Sequence, residues 1–227
     1  MYKKTILATI VMASLSSPSF AFLDKLEAVT DTVVSTQASG GDISQSVAEL
    51  EQQYQAASIA VLESQVEIAK ALNISKEIEE AGRLSETLKQ GNLSSDTVEK
   101  VSATSSILNE EIEKSLSSTE QLTEEQQKHV SAGLLNYAVG VGMTAVLVVN
   151  AKDLGEQASN ILASANAFEK VKLAVELAGV TTLAAQLPGH VANLLEGGTQ
   201  FFSLASNKGV DTSEAAKKLE ESAGFEL

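Results

Sequence analysis

Two histidines, two short runs of glutamate and two isolated glutamates are the side chains in this sequence that could do chemistry. His129 and His190 could serve as bases or metal ligands. Neither lies in an H-E-x-x-H pair or in the Glu-x-x-His spacing of a di-iron helix, so the expectation for both is a surface or capping role. Glu77, Glu79 and Glu80, and again Glu110, Glu111 and Glu113, could hold a divalent cation only if two helices brought the runs together. As helical residues they read as solvated faces. Glu176 and Glu196 stand alone among apolar neighbours, where burial would raise a carboxyl pKa.

Other chemistries lack their frames. Serine is plentiful, but no G-x-S-x-G surrounds one. Gly140-Val141-Gly142 is a G-x-G without the third glycine of a dinucleotide loop. There is no cysteine, hence no disulfide, thiol nucleophile or cysteine-ligated zinc. The expectation is therefore no catalytic residue, no cofactor and no metal. With 30 acidic against 16 basic residues and a net charge of −14, the chain repels phosphate backbones, which argues against nucleic acid.

The elements that would carry these residues read as helices. Two prolines in 227 residues, few aromatics and abundant Ala, Glu, Gln and Leu favour helix throughout. Residues 1–21 read as a secretory signal: Lys3 and Lys4, an apolar stretch from Thr5 to Leu15, then Ser19 and Ala21 at the cleavage positions. The expected location is outside the cytoplasm, the periplasm first and the extracellular space second. Residues 22–227 are then expected to form a single helical domain. A short amphipathic helix is expected over 22–36, broken by Gly40-Gly41.

From Ser44 the apolar spacing alternates three and four through Val47, Leu50, Tyr54, Ala57, Val61, Ser64, Ile68 and Ala71. Ile74, Ile78, Ala81, Leu84 and Leu88 continue a helical stripe to about residue 90, with Asn73 as a candidate bend and Gly91 as the stop. Asp96-Thr97-Val98-Glu99 reads as a capping box opening a second long helix, 96–122. Thr123-Glu124-Glu125-Gln126 is another such box.

Composition then changes. Residues 22–129 hold 28 charged side chains and residues 130–205 only 8. Val130 to Ala151 carries no charge at all. A second apolar run, Leu173 to Leu187, is expected to stop at Pro188, and a third, Val191 to Ala205, is interrupted by Gly197-Gly198. A short C-terminal helix, capped around Asp211, falls within 206–227. The fold class expected is all-α: a multi-helix bundle with long amphipathic helices (44–90, 96–122) around apolar central helices (130–205).

The uncharged stretch admits three readings: a buried core helix, a membrane span or insertable hairpin, and β structure built on its valines. Ser131, Asn136, Thr144 and Asn150 interrupt it, and one lysine on each flank gives no orientation signal, so the core helix is favoured. Gly133, Ala138, Gly142 and Ala145 form the candidate small-residue face for helix packing or membrane contact. The functional expectation is an exported, non-catalytic module that binds or scaffolds through helix seams, by self-association or with a protein partner. The alternative is a membrane-active protein, forming pores or carrying apolar ligands with residues 130–205.

Overall fold

The computed structural model describes residues 43–75, 77–91, 93–164 and 167–223; for 43, 44, 161, 162, 164, 167–180 and 223 it describes the backbone alone. The signal segment 1–21, the helix expected over 22–36 and the side chain of Glu176 lie outside the described set. Among the described residues six helices follow in order: α1 Ile43–Ala71, α2 Ile78–Lys89, α3 Ser95–Ser118, α4 Glu124–Ser164, α5 Ala167–Ser206 and α6 Ser213–Ala223. No strand occurs among the described residues. The molecule is an all-α bundle.

The seam read along α1 is its contact with α4. Val47, Leu50, Tyr54, Ala57, Val61, Ser64 and Ile68 are all buried. A second stripe, Ser58, Leu62, Gln65, Ala69 and Leu72, is buried as well. At about 100° per residue it lies beside the first. Helix α1 is therefore covered on two faces and contacts α2 and α3 in addition to α4.

The stretch 44–90 is two helices, not one. Asn73 takes a left-handed φ of 60° and ends α1. Its N–H donates to Lys70 O (3.1 Å) and that of Ile74 to Ala69 O (2.8 Å), the paired bonds of a Schellman stop. Asparagine tolerates this backbone region better than most residues. Gly91 (φ 78°) and Gly209 (φ 81°) use the same conformation after α2 and α5.

Helix α3 begins earlier than expected. Its cap is Ser94, whose hydroxyl accepts from Thr97 N at 3.1 Å. The Asp96 box does not form; Asp96 instead pairs with Lys100 at 2.8 Å. The Thr123 box does form: Thr123 Oγ1 accepts from Gln126 N at 3.2 Å, and Gln126 Oε1 accepts from Thr123 N at 3.0 Å.

Helices α4 and α5, of 41 and 40 residues, merge the apolar runs into two continuous rods. Pro188 does not end α5. It removes one main-chain donor, but Leu183, Leu187, Val191 and Leu194 are buried on both sides of it and hold the helix in register. Gly197 and Gly198 also lie inside α5 and serve close packing. A Cβ at Gly197 would stand 2.5 Å from Asn109 Nδ2 on α3. One at Gly198 would stand 3.0 Å from Leu219 on α6 and from Tyr137 on α4.

One end of the bundle is locked by the first turns of α4. Gln126 Nε2 donates to Ala71 O at the end of α1 (2.8 Å). Gln127 Nε2 donates to Lys208 O beyond α5 (3.0 Å), and Ser131 Oγ to Asp211 O before α6 (2.7 Å). The Ala71 carbonyl is one that a helix C-terminus leaves without an intrahelical partner, and the other two belong to the connection between α5 and α6.

Candidate functional site

Helix α4 distributes its small residues over opposite faces. At about 100° per residue, Gly133 and Gly140 lie about 20° apart, whereas Gly133 and Gly142 lie about 180° apart. Ala138, Gly142 and Ala145 fall within about 60° of one another. A Cβ at Gly133 would meet Ile68 Cγ1 at 2.5 Å, and one at Gly140 would meet Val61 Cγ2 at 2.9 Å and Val61 N at 3.0 Å. That face receives α1. A Cβ at Gly142 would meet Ser222 Oγ of α6 at 2.8 Å. Ala138 and Ala145 are fully buried. The structure thus brings Ala138, Gly142 and Ala145 to one side of α4 and sets Gly133 on the other.

The polar residues of the uncharged stretch each have a place. Thr144 Oγ1 donates to Gly140 O one turn earlier at 2.8 Å, and Asn150 Nδ2 to Gln53 Oε1 of α1 at 3.2 Å. Ser131 binds Asp211 O as above, and Asn136 lines a surface groove.

At the centre, polar side chains link four helices. Gln65 of α1 donates through Nε2 to Ser105 O and to Asn109 Oδ1 of α3. Asn109 Nδ2 lies 3.4 Å from Tyr137 Oη of α4, and that hydroxyl donates to Leu194 O of α5 at 2.8 Å. The Tyr137 ring meets Phe201 edge-on, centroids 5.5 Å apart. Burial pushes the Tyr137 hydroxyl pKa well up, so it stays protonated as a donor. Tyr54, also enclosed, is pushed up to about 12 by burial. Gln65 Oε1 and Ser105 Oγ have no hydrogen-bond partner.

His190 corrects the sequence expectation. It sits inside α5, 6% exposed, neither on the surface nor at a helix start. Nδ1 has no partner, and burial lowers the pKa to about 4. Continuation of α5 through Pro188 is what carries His190 inward. His129 remains exposed in the second turn of α4, with Nδ1 3.8 Å from Glu67 Oε1. Glu196 is exposed.

The acidic runs do not converge on a metal geometry: no group of three or more His, Cys, Asp or Glu among the described residues could hold an ion. Glu79 and Glu80 both pair with Arg83, and Glu111 pairs with Lys114.

One open groove of about 940 Å³ lies between α1, α2 and α4. Its floor is Val66 and Ala71, half-buried, over the enclosed Ala60, Leu62 and Ala81. Glu63, Glu67, Glu86 and Glu125 line it, with Lys70 and His129 as the basic groups. Lys89 spans Glu63 (2.9 Å) and Glu86 (2.8 Å), and Ser85 donates to Glu63 at 3.1 Å. The seam reading did not anticipate this site, because the groove occupies the face of α1 that the two buried stripes leave, lined by Ala60, Glu63, Glu67 and Lys70. No apolar periodicity marks that face, which carries Glu63, Glu67 and Lys70.

No protein-family model, no curated protein and no solved structure matches the chain.

Proposed function

We propose that this protein is an exported, non-catalytic helical module that binds a partner through the groove between α1, α2 and α4. The groove carries this reading: it is concave, floored by apolar residues, rimmed by carboxylates and built on three helices. The central polar side chains, by contrast, bond to one another and to main chain, and their two unpaired oxygens, Gln65 Oε1 and Ser105 Oγ, are enclosed in the core. Export rests on the signal pattern of residues 1–21.

Gly82 provides the test. It lines the groove, and a Cβ there would meet nothing within 4 Å, so Gly82→Trp places bulk at the groove without touching the core. A random peptide library is panned against the wild-type protein and counter-selected on Gly82→Trp. Peptides retained by the first and lost by the second are the expected result. A library yielding only sequences that bind both proteins equally would sink the reading.

A second reading, membrane insertion, has one observation in its favour: Glu124–Asn160 is long and apolar enough to cross a bilayer. Insertion would require α4 to leave α1, α5 and α6, each of which packs against it.

A further inference from the structure

We infer that the groove between α1, α2 and α4 receives a cationic amphipathic helix of a protein partner; this rests on the binding-module reading above. The first support is shape. Along α1 the lining residues run from Ala60 to Asn73, about 20 Å at 1.5 Å per residue. Spread over that length, the groove volume gives a cross-section of roughly 50 Å², about half that of a helix 10–12 Å across. An elongated trough of this size seats one side of a helix over three to four turns, the helix-in-groove mode of peptide recognition. A compact metabolite would leave most of it empty.

The second support is the pairing of floor and rim. Val66 and Ala71, both half-buried, present the apolar surface at the bottom, with Ala60, Leu62 and Ala81 enclosed beneath it. Gly82 adds backbone with open space above it. These suit an apolar helical stripe.

Charge is the third support. Four carboxylates line the groove against Lys70 and His129. Lys89 already spans Glu63 and Glu86, which leaves Glu67, beside His129, and Glu125 to face an incoming cation. The net charge of −14 adds long-range attraction for a basic segment. The same charge argues against a second copy of this chain as occupant. It also argues against residues 22–36, whose Asp24, Glu27 and Asp31 outnumber Lys25.

The test uses a labelled peptide of about 14 residues, with leucine at helical spacing on one face and lysine and alanine on the other, and a twin with glutamate for lysine. Fluorescence anisotropy against the purified protein should give binding of the lysine peptide at least about tenfold tighter than its twin. Gly82→Trp, and separately Glu67→Lys with Glu125→Lys, should each weaken it about tenfold or more. Glu99→Lys with Glu110→Lys, on the exposed side of α3, should change it by less than about twofold. Gly82→Trp should unfold at the same temperature as the wild type, followed by circular dichroism, which separates blockage from unfolding.

Equal weakening by the α3 pair, or indifference to Gly82→Trp, would mean attraction to an acidic surface and overturns the inference. Gly82-dependent binding of the glutamate peptide overturns the cationic partner but keeps the module. Binding of neither peptide refutes the cationic-helix partner and leaves the module to the library panning.

Discussion

The hydroxyl of Tyr137 donates to the main-chain carbonyl of Leu194 at 2.8 Å, fastening the middle of α4 to the middle of α5. The same oxygen faces Asn109 Nδ2, so a single phenol joins α3, α4 and α5 inside the core. Buried polar groups are costly when left unpaired, and this arrangement fixes which helices neighbour one another.

Tyr137→Phe keeps the ring against Phe201 but takes the partner from Asn109 Nδ2. Urea denaturation should report a loss of about 1–3 kcal/mol, mostly the cost of an unsatisfied buried amide. In a double-mutant cycle with Asn109→Ala, the two losses should sum to more than the double mutant's loss. Strict additivity would mean that the contact carries no coupling.

Glycine substitutions should split by location. Gly82→Ala should stabilise by about 0.5–1 kcal/mol, since Gly82 lies inside α2 with open space at the Cβ position. Gly140→Ala should destabilise by about 1–3 kcal/mol, because its Cβ would press on the main chain of α1 at Val61 N. Thermal unfolding of both variants checks the sign. A stabilising Gly140→Ala would mean that α1 and α4 are not in close contact there.

His190 should make the fold acid-sensitive. Its pKa is lowered by burial from 6.5 to about 4, so between these values the unfolded chain takes up a proton that the native state refuses. Stability is unaffected by this group above about pH 6.5 and falls as pH drops towards 4, by about 3 kcal/mol in total, with no further loss below. His190→Leu should flatten that part of the pH profile of the denaturation midpoint. An unchanged profile would show that His190 is not protected from protonation.

Liposome flotation with dye release tests the membrane reading. At neutral pH the protein should remain unbound, because most of the apolar surface of α4 is already covered by α1, α5 and α6. Release at neutral pH from intact protein would favour membrane insertion over the binding module.

Sequence alone determined the helical class, the three-and-four seam of α1, the Thr123 cap and the break in composition at residue 130. These follow from local spacing and local hydrogen bonding, which a helix repeats every turn. Tertiary structure decided the rest. Pro188 and Gly197-Gly198 look like helix ends in isolation, yet neighbouring helices hold α5 together across them and use the glycines for close approach. His190 became a buried residue only because of that continuity. The small residues of α4 acquired their faces from the neighbours, α1 beside Gly133 and α6 beside Gly142. The groove arises where α2 leaves part of α1 uncovered. No periodicity encodes that, because it depends on where three helices separated in the chain come to lie.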